Sequence, residues 1–513
     1  MNSSMEIAPL SKKNDRLTYL DPGSPNLGMK AKRKIVSAWH ALLAFDLARA
    51  QQLAGQLRDM APTAPLQQRM LNQQADLIVA GIALFNDDIG AVVQLANKVA
   101  GGDQTEEMAR TTSVLLRFAA WYRRDWDRFE EATCLCPCSL IDGRQALPTV
   151  LTLIIEAAAE MKRSRFISAH RLASDALRFA ARLKSGKALA TASAVTVMAA
   201  ILHEQGEIEE ADKLLRRNLE SLSRSACADV VAGAYETLMQ IAMHRCQWGV
   251  ASTFQRELIA LGNARSWPRL VAFGLAAGVE SECLTGAVAR AAASVTALRQ
   301  LQDAQHLTLV RSAISLRLRV SDIRLSLLGS PSAQLVADIE AHLRDLSAQG
   351  EELQTSGVAM LLVEALTVTG EDQAAQAALL AYLRAGMRRG VFQSFVTAST
   401  VVYEKLNDLY NDGLDGLEDQ AQMRPFLASL IARTRKFLLA KVGSAELFTE
   451  TLITARERDI LLRMSQGYSN KKIAKDLGIG PETVKSHAKR IYSKLGVTSR
   501  IEAVSQAADL CLI

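Results

Sequence analysis

Apolar residues between Ala190 and Leu222 fall at helical spacing on either side of one break. Ile208, Ala211, Leu214, Leu215, Leu219 and Leu222 line one face of a helix. Gly206 ends the helix before it, Ala190 to Gln205. Together they predict a helical hairpin with a recognisable entry. A large apolar residue opens the second helix, and a small one three places later lets two helices approach closely. The same pair recurs at Leu47/Ala50, Ile89/Val92, Trp126/Phe129, Phe166/Ala169, Trp248/Ala251 and Val288/Ala291, a period near 40 residues broken only by the size of Phe129. Later pairs, such as Gly370 to Ala385 and Val391 to Tyr410, are less regular. Such a repeat reads as stacked helix pairs. Each pair buries only part of its apolar face alone, and stacking completes the core and leaves a concave surface.

The pattern changes from Leu452 onward, where four short helices can be placed from their ends. Thr454 to Glu457 is a capping box, Ile460, Leu461 and Met464 face inward, and Gly467 stops the helix. Ser469 caps a second helix that buries Ile473, Ala474 and Leu477; Gly478-Ile479-Gly480 makes the turn. Pro481 then stands at the first position of a third helix, where its missing N–H costs least. The inward set of that helix is Val484, Ala488, Ile491 and Leu495; Glu482, Lys485, Ser486, Lys489 and Ser493 face away. Ser499 to Glu502 is a second capping box opening a fourth helix that buries Ala503, Val504 and Ala507. Lys485 and Lys489 are four apart, as are Arg490 and Lys494, so like charges repel by a few tenths of a kcal/mol per pair. A helix with only a structural duty gains nothing from this. A phosphate backbone would turn the repulsion into attraction and counterion release, and the lysine stems can reach guanine O6 and N7 in the major groove.

This segment closely resembles the LuxR-type DNA-binding domain. The matching residues are Arg456-Glu457, Gly467, Ser469-Asn470-Lys471, Ile473-Ala474, Leu477, Thr483-Val484-Lys485, His487, Ile491, Lys494-Leu495-Gly496-Val497 and Arg500. The resemblance implies that Lys485, Ser486 and Lys489 read base edges, while Thr483, His487, Lys471 and Arg500 hold phosphate or pin the domain. Lys472, Arg490 and Lys494 join the phosphate or positioning set. Two of these depart from the usual pattern: Lys472 replaces a common Glu and Arg490 a common Asn, and both add positive charge. Gly480 stands where a Ser or Thr cap is usual, at a cost of a few tenths of a kcal/mol. The resemblance also implies that the fourth helix is a dimer face.

Upstream, Gly206 followed by Ala211 looks like the turn of tetratricopeptide repeats, though the period exceeds 34 residues and the closing proline is missing. The middle of the chain is more similar to the helical superhelix of the large MalT-type regulators. Their nucleotide-binding module is not expected here, because no G-x-x-x-x-G-K-[ST] occurs and the lone Gly-Lys pair, Gly186-Lys187, lacks the upstream glycine. Neither a phosphorelay receiver nor an acyl-homoserine-lactone pocket is expected, since both need alternating strands and helices.

Composition narrows the picture. With 49% hydrophobic and 22% charged residues in 513, a disordered chain is excluded, and sparse Pro and Gly favour helix. Residues 451–513 carry a charge of +5, residues 1–33 carry +3, and residues 34–443 are neutral. The C-terminal excess suggests an anionic partner. The N-terminal one, among Asp, Pro, Gly, Ser and Asn, reads as a solvated tail. No uncharged apolar run approaches the ~18–20 residues of a membrane span, and the start MNSSMEIAPLSKKNDR lacks an apolar signal region. Seven cysteines, an odd count with four of them scattered, do not form an oxidised framework and point to a reducing cytoplasm. Cys134, Cys136 and Cys138 crowd together and raise a metal or redox role, but no fourth ligand is near. His40, His170, His203, His244, His306 and His342 show no metal spacing.

The expectation is an all-α chain: a basic tail at 1–33, a tetratricopeptide-like α-solenoid of about ten helix pairs at 34–443, and a four-helix LuxR-type domain at 449–513 with its helix-turn-helix at 472–491. It would be a cytoplasmic, one-component transcription regulator without metal, cofactor or enzymatic activity. Its partners would be double-stranded DNA, a second copy on DNA, RNA polymerase as a further candidate, and a ligand or protein in the solenoid groove. The alternative is a solenoid interaction protein that sequesters another regulator.

Overall fold

The second helix of each hairpin begins where the large apolar residue of the repeat stands. The computed structural model describes residues 27–60, 64–132, 147–183, 185–225, 227–329, 331–396, 399–411, 413–414, 417–442, 455–495, 497 and 499–509. Twenty α-helices in these residues precede the C-terminal segment. They are α1 (Met29–Leu43), α2 (Leu47–Arg58), α3 (Pro65–Phe85), α4 (Ile89–Ala100), α5 (Glu106–Arg123), α6 (Trp126–Glu131), α7 (Leu147–Lys162), α8 (Phe166–Ala180), α9 (Lys187–Glu204) and α10 (Ile208–Ser223). There follow α11 (Ala228–His244), α12 (Trp248–Ala264), α13 (Pro268–Leu284), α14 (Val288–Asp303), α15 (Thr308–Leu327), α16 (Ala333–Ala348), α17 (Glu352–Val368), α18 (Asp372–Arg389), α19 (Thr400–Asn411) and α20 (Gln420–Val442). Leu47, Ile89, Trp126, Phe166, Ile208, Trp248 and Val288 are each the first residue of an even-numbered helix, and the residue three places on is buried in every case. Among the described residues there is no strand, and no helix is long and apolar enough to cross a membrane.

The hairpins share one turn. In eight hairpins the residue two places before the second helix has a left-handed backbone: Phe45, Asp87, Arg124, Ser164, Gly206, Cys246, Gly286 and Gly370; Ser266 and Gly350 adopt it in the links that lead into α13 and α17. Its successor donates its N–H five residues back, as in Asp46 to Ala41 (2.9 Å), Glu207 to Leu202 (2.8 Å) and Gln247 to Ala242 (2.8 Å). This Schellman arrangement satisfies carbonyls that a helix end leaves open. In three hairpins an aspartate then caps the next helix: Asp46, Asp88 and Asp125 accept from the backbone N–H of Arg49, Ala91 and Arg128.

The chain divides into two compact units, residues 1–155 with 175–194, and residues 156–174 with 195–513. In the first, Leu77, Ala80 and Ala83 of α3 pack with Val92, Ala96 and Val99 of α4 and with Met108 and Leu115 of α5. Asp76 is buried there between Arg58 (2.6 Å) and Lys98 (2.8 Å), which offset the desolvation of its carboxylate. The first helix begins at Met29 rather than near Lys34, because Ala31 and Ile35 already pack into this unit one turn apart.

In the second unit the same three-helix core is built from Ala272 and Val279 of α13, Ala291, Val295 and Leu298 of α14, and Val310, Ile314 and Leu318 of α15. The α13 guanidinium of Arg269 forks onto both oxygens of Asp229 at the start of α11 (3.0 and 3.0 Å). The regular repeat ends before α20, which folds back on hairpins some 200 residues earlier. Arg433 donates to the Gly206 carbonyl (2.9 Å), and the Phe437 ring lies 5.2 Å from that of His244. Gly206 has φ +86°, and a Cβ there would lie 2.8 Å from the Arg433 guanidinium. Beside it, the buried Glu204 accepts from the Phe392 N–H (3.2 Å), the Ser394 N–H (2.9 Å) and the Ser394 hydroxyl (2.8 Å). Cys134, Cys136 and Cys138 lie outside the described residues.

Candidate nucleic-acid interface

Four helices form the C-terminal segment: α21 (Ala455–Ser465), α22 (Asn470–Leu477), α23 (Pro481–Leu495) and α24 (Arg500–Asp509). Their ends follow the capping chemistry of the sequence. Ser469 Oγ accepts from the Lys472 N–H (3.3 Å) and Ser499 Oγ from the Glu502 N–H (3.2 Å). Gly467 (φ +79°) and Gly478 (φ +65°) close α21 and α22 in the left-handed region. Thr454 lies outside the described residues. The two helices of the motif thus meet through three residues, Gly478, Ile479 and Gly480.

The core beneath them consists of Ile460, Leu461, Met464, Ile473, Ala474, Val484, Ala488, Ile491, Ala503 and Ala507, with Leu477, Ile479 and Val504 half-buried against it; Ala432 of α20 also packs on this core. Two arginines close it through backbone carbonyls. Arg456 donates to the Leu477 carbonyl (2.6 Å) and fixes the end of α22. Arg500 donates to the carbonyls of Met464 (3.1 Å) and Tyr468 (2.5 Å), tying α24 to the end of α21. Charged donors of this kind contribute about 1.5–3 kcal/mol each. The sequence had marked Arg456 only as a matching residue.

With Val484, Ala488 and Ile491 buried, α23 turns its other face outward. Thr483, Lys485, Ser486, Lys489 and Arg490 are exposed. Glu482 lies 3.7 Å from Lys485, but both side chains are largely in water, so the pair holds Lys485 weakly. On α22, Lys471, Lys472 and Lys475 are exposed as well, and the Lys472 ammonium sits 3.5 Å above the Tyr468 ring. Lys475 was absent from the sequence list, although its spacing from Lys471 and Lys472 puts it on the same outer side. His487 is half-buried, and its Nδ1 has no hydrogen-bond partner among the described residues. The side chain of Lys494 lies outside the described residues. Among the described side chains, α22 and α23 therefore carry six exposed cations against two exposed acids, Asp476 and Glu482.

What this arrangement offers is a rigid rod of about 10–12 Å diameter, fixed from below and cationic above, the dimensions a B-DNA major groove admits. Elsewhere, burial pushes the thiols of Cys227 and Cys283 up to about 12 and about 11.

Comparison with known proteins bears on this segment and on the fold separately. Residues 451–507 match the family described as bacterial regulatory proteins, luxR family. HTH-type transcriptional regulators of Mycobacterium bovis and Mycobacterium tuberculosis are each 46% identical to this chain over 56 residues, 11% of this chain and 6% of theirs. The HTH-type transcriptional regulator MalT of Yersinia pestis is 32% identical over 147 residues, 26% of this chain and 16% of MalT. The matched region is thus a small part of each relative. A Rap protein, solved as a complex with Competence and Sporulation Factor, is similar in fold to 70% of this chain over 98% of its own, with a TM-score of 0.53 at 13% identity. That likeness concerns the helical repeat architecture alone. The C-terminal segment of the chain thus carries a helix-turn-helix domain of the luxR type, matched over residues 451–507 by the model of that family of bacterial regulatory proteins.

Proposed function

We propose that the chain is a one-component transcription regulator of the cytoplasm, which binds double-stranded DNA through α22 and α23 and receives its signal through the helical repeats. Lys485, Ser486 and Lys489 enter the major groove and read base edges. Thr483, Lys471, Lys472, Arg490 and Lys494 meet phosphates, and His487 and Arg500 position the motif. The observation that carries the reading is α23 itself: one face is locked by Val484, Ala488 and Ile491, and the other presents exposed lysines one turn apart, of which Lys485 is paired only weakly with Glu482. Two copies bind half-sites about one helical turn apart, with α24 as the dimer face. Contact with RNA polymerase would follow from that placement.

For the repeats, the solved Rap complex supports a partner-receiving role, since a similar helical architecture there is complexed with a factor. A small ligand or a protein that binds one conformation better than another would shift the DNA-binding population accordingly. Gel shifts with promoter DNA test the reading. The intact chain should retard it, and Lys485→Ala/Lys489→Ala should abolish retardation while leaving the fold unchanged by circular dichroism. A double variant that binds as well as the original would overturn the assignment. Failure of the intact chain on every promoter tried would favour an interaction protein that sequesters another regulator.

A further inference from the structure

The N-terminal charge that reads as tail in the sequence is partly helix. Lys30, Lys32, Arg33 and Lys34 lie in the first two turns of α1, which contains no acidic residue. Lys30 and Arg33 are exposed and Lys32 and Lys34 half-buried, and none of the four is held in an ion pair among the described residues. The arrangement is unfavourable for folding. Lys30 and Lys34 repel at i, i+4 spacing, and all four sit at the end of the helix where acids are preferred. The helix forms because its other face, Ala31, Ile35, Ala38 and Leu42, is buried in the first unit. The repulsion on the outer face is therefore sustained by packing and is available to a polyanion.

We propose that this face of α1 is a second, sequence-independent contact to the phosphate backbone of DNA. The inference rests on the DNA-binding reading above. DNA is favoured over an anionic membrane because the apolar face a surface helix would insert into lipid is already consumed by the protein core. Each phosphate neutralised steepens the dependence of log Kobs on log salt by about 0.9, and each one lost lowers affinity about 5-fold at ~0.15 M salt.

The test is fluorescence anisotropy of the full chain with a mixed-sequence duplex of about 40 base pairs, titrated at salt concentrations from about 50 to 200 mM. The variants are Lys30→Gln/Lys32→Gln/Arg33→Gln/Lys34→Gln, its milder form Lys30→Gln/Arg33→Gln, and Lys485→Ala/Lys489→Ala. The quadruple variant should flatten the salt slope by about 2–4, with an affinity loss of about 30- to 1,000-fold at ~0.15 M, and the milder form should lie between. Partial unfolding lowers affinity equally at every salt concentration and leaves the slope unchanged, so the slope separates contact from stability. A quadruple variant with the original slope overturns the proposal, as does one whose only defect is in binding phosphatidylserine vesicles. If the unaltered chain shows no salt-dependent binding at all, the DNA reading itself fails and takes this one with it. If only Lys485→Ala/Lys489→Ala flattens the slope, the DNA reading survives without the α1 contact.

Discussion

Replacing Gly206 with alanine separates two contributions that coincide at one residue. Gly206 has φ +86°, and so does Gly370; at Gly370 a Cβ would meet nothing within 4 Å, whereas at Gly206 it would lie 2.8–3.0 Å from the Arg433 guanidinium. Both substitutions force a side chain into the left-handed region, at about 1–2 kcal/mol. Gly206→Ala must in addition displace Arg433 from the 2.9 Å hydrogen bond to the Gly206 carbonyl. A charged donor in such a bond contributes about 1.5–3 kcal/mol, less whatever the flexible arginine recovers by shifting. The expected losses are about 1–2 kcal/mol for Gly370→Ala and about 2–5 kcal/mol for Gly206→Ala. Urea denaturation followed by far-ultraviolet circular dichroism measures both, and Arg433→Met in each background completes a double-mutant cycle. Coupling should appear with Gly206→Ala and vanish with Gly370→Ala. Equal losses without coupling would refute the closure of α20 on the α9–α10 turn.

Ser266 is an exposed non-glycine residue at φ 54°, so Ser266→Gly should raise stability by about 1 kcal/mol in thermal melts. Ile491 is fully buried under α23, and Ile491→Ala should cost about 2–5 kcal/mol and abolish gel retardation, while calorimetry still finds the unfolding of the repeats unchanged. Arg500→Met removes donors to Met464 and Tyr468; it should weaken DNA binding through stability and leave the salt slope as it was, whereas a slope flattened by about one would place Arg500 on a phosphate instead. Acid has opposite effects on two neighbouring residues. Burial beside His244 and Arg433 holds His203 down at about 3, and burial also lowers His244, so the unfolded chain binds the extra protons and stability falls as pH drops below about 6.5. Burial raises Glu204 to about 7, so there the folded chain binds the extra proton and stability rises as pH falls from about 7 toward 4.5. Glu204→Gln should leave a protein that weakens on acidification to about pH 5.5 by 1–2 kcal/mol, and His203→Gln one that weakens less than the original chain; identical pH profiles for the two would contradict the assignment.

The second helices of the hairpins were legible because they are amphipathic. Their buried face is a single stripe, as in Ala211, Leu215 and Leu222 of α10, and a large apolar residue marks the entry. The first helices were harder to delimit. α11 and α17 are buried on nearly every side, so apolar residues follow no helical period and composition alone points to them. Most of the turns were hidden for another reason. Gly206 announces its conformation, but Phe45, Asp87, Arg124, Ser164 and Cys246 adopt the same one against their intrinsic preference, under the constraint of the hairpin. The closure of α20 was invisible, because Arg433 and Gly206 are 227 residues apart and neither is unusual locally. α1 begins within the segment 1–33 that reads as a tail, because the Pro, Gly and Asp upstream of Gly28 carry that reading past Ala31, which is already core. In the C-terminal domain nearly everything that forms it is local: two serine caps, two left-handed glycines and Pro481 fix the helix ends, and the inward residues follow from spacing. What spacing could not give was the use of the two arginines, since Arg456 and Arg500 find their carbonyl partners only after the helices meet.

Crosslinking of the intact chain to chromosomal DNA in its own cells, followed by sequencing, tests the regulator assignment most directly. The account predicts discrete sites upstream of genes, each holding paired half-sites about one helical turn apart, and their loss with Lys485→Ala/Lys489→Ala. Recovery no greater than from an untagged strain, or sites that persist unchanged in that variant, would contradict it.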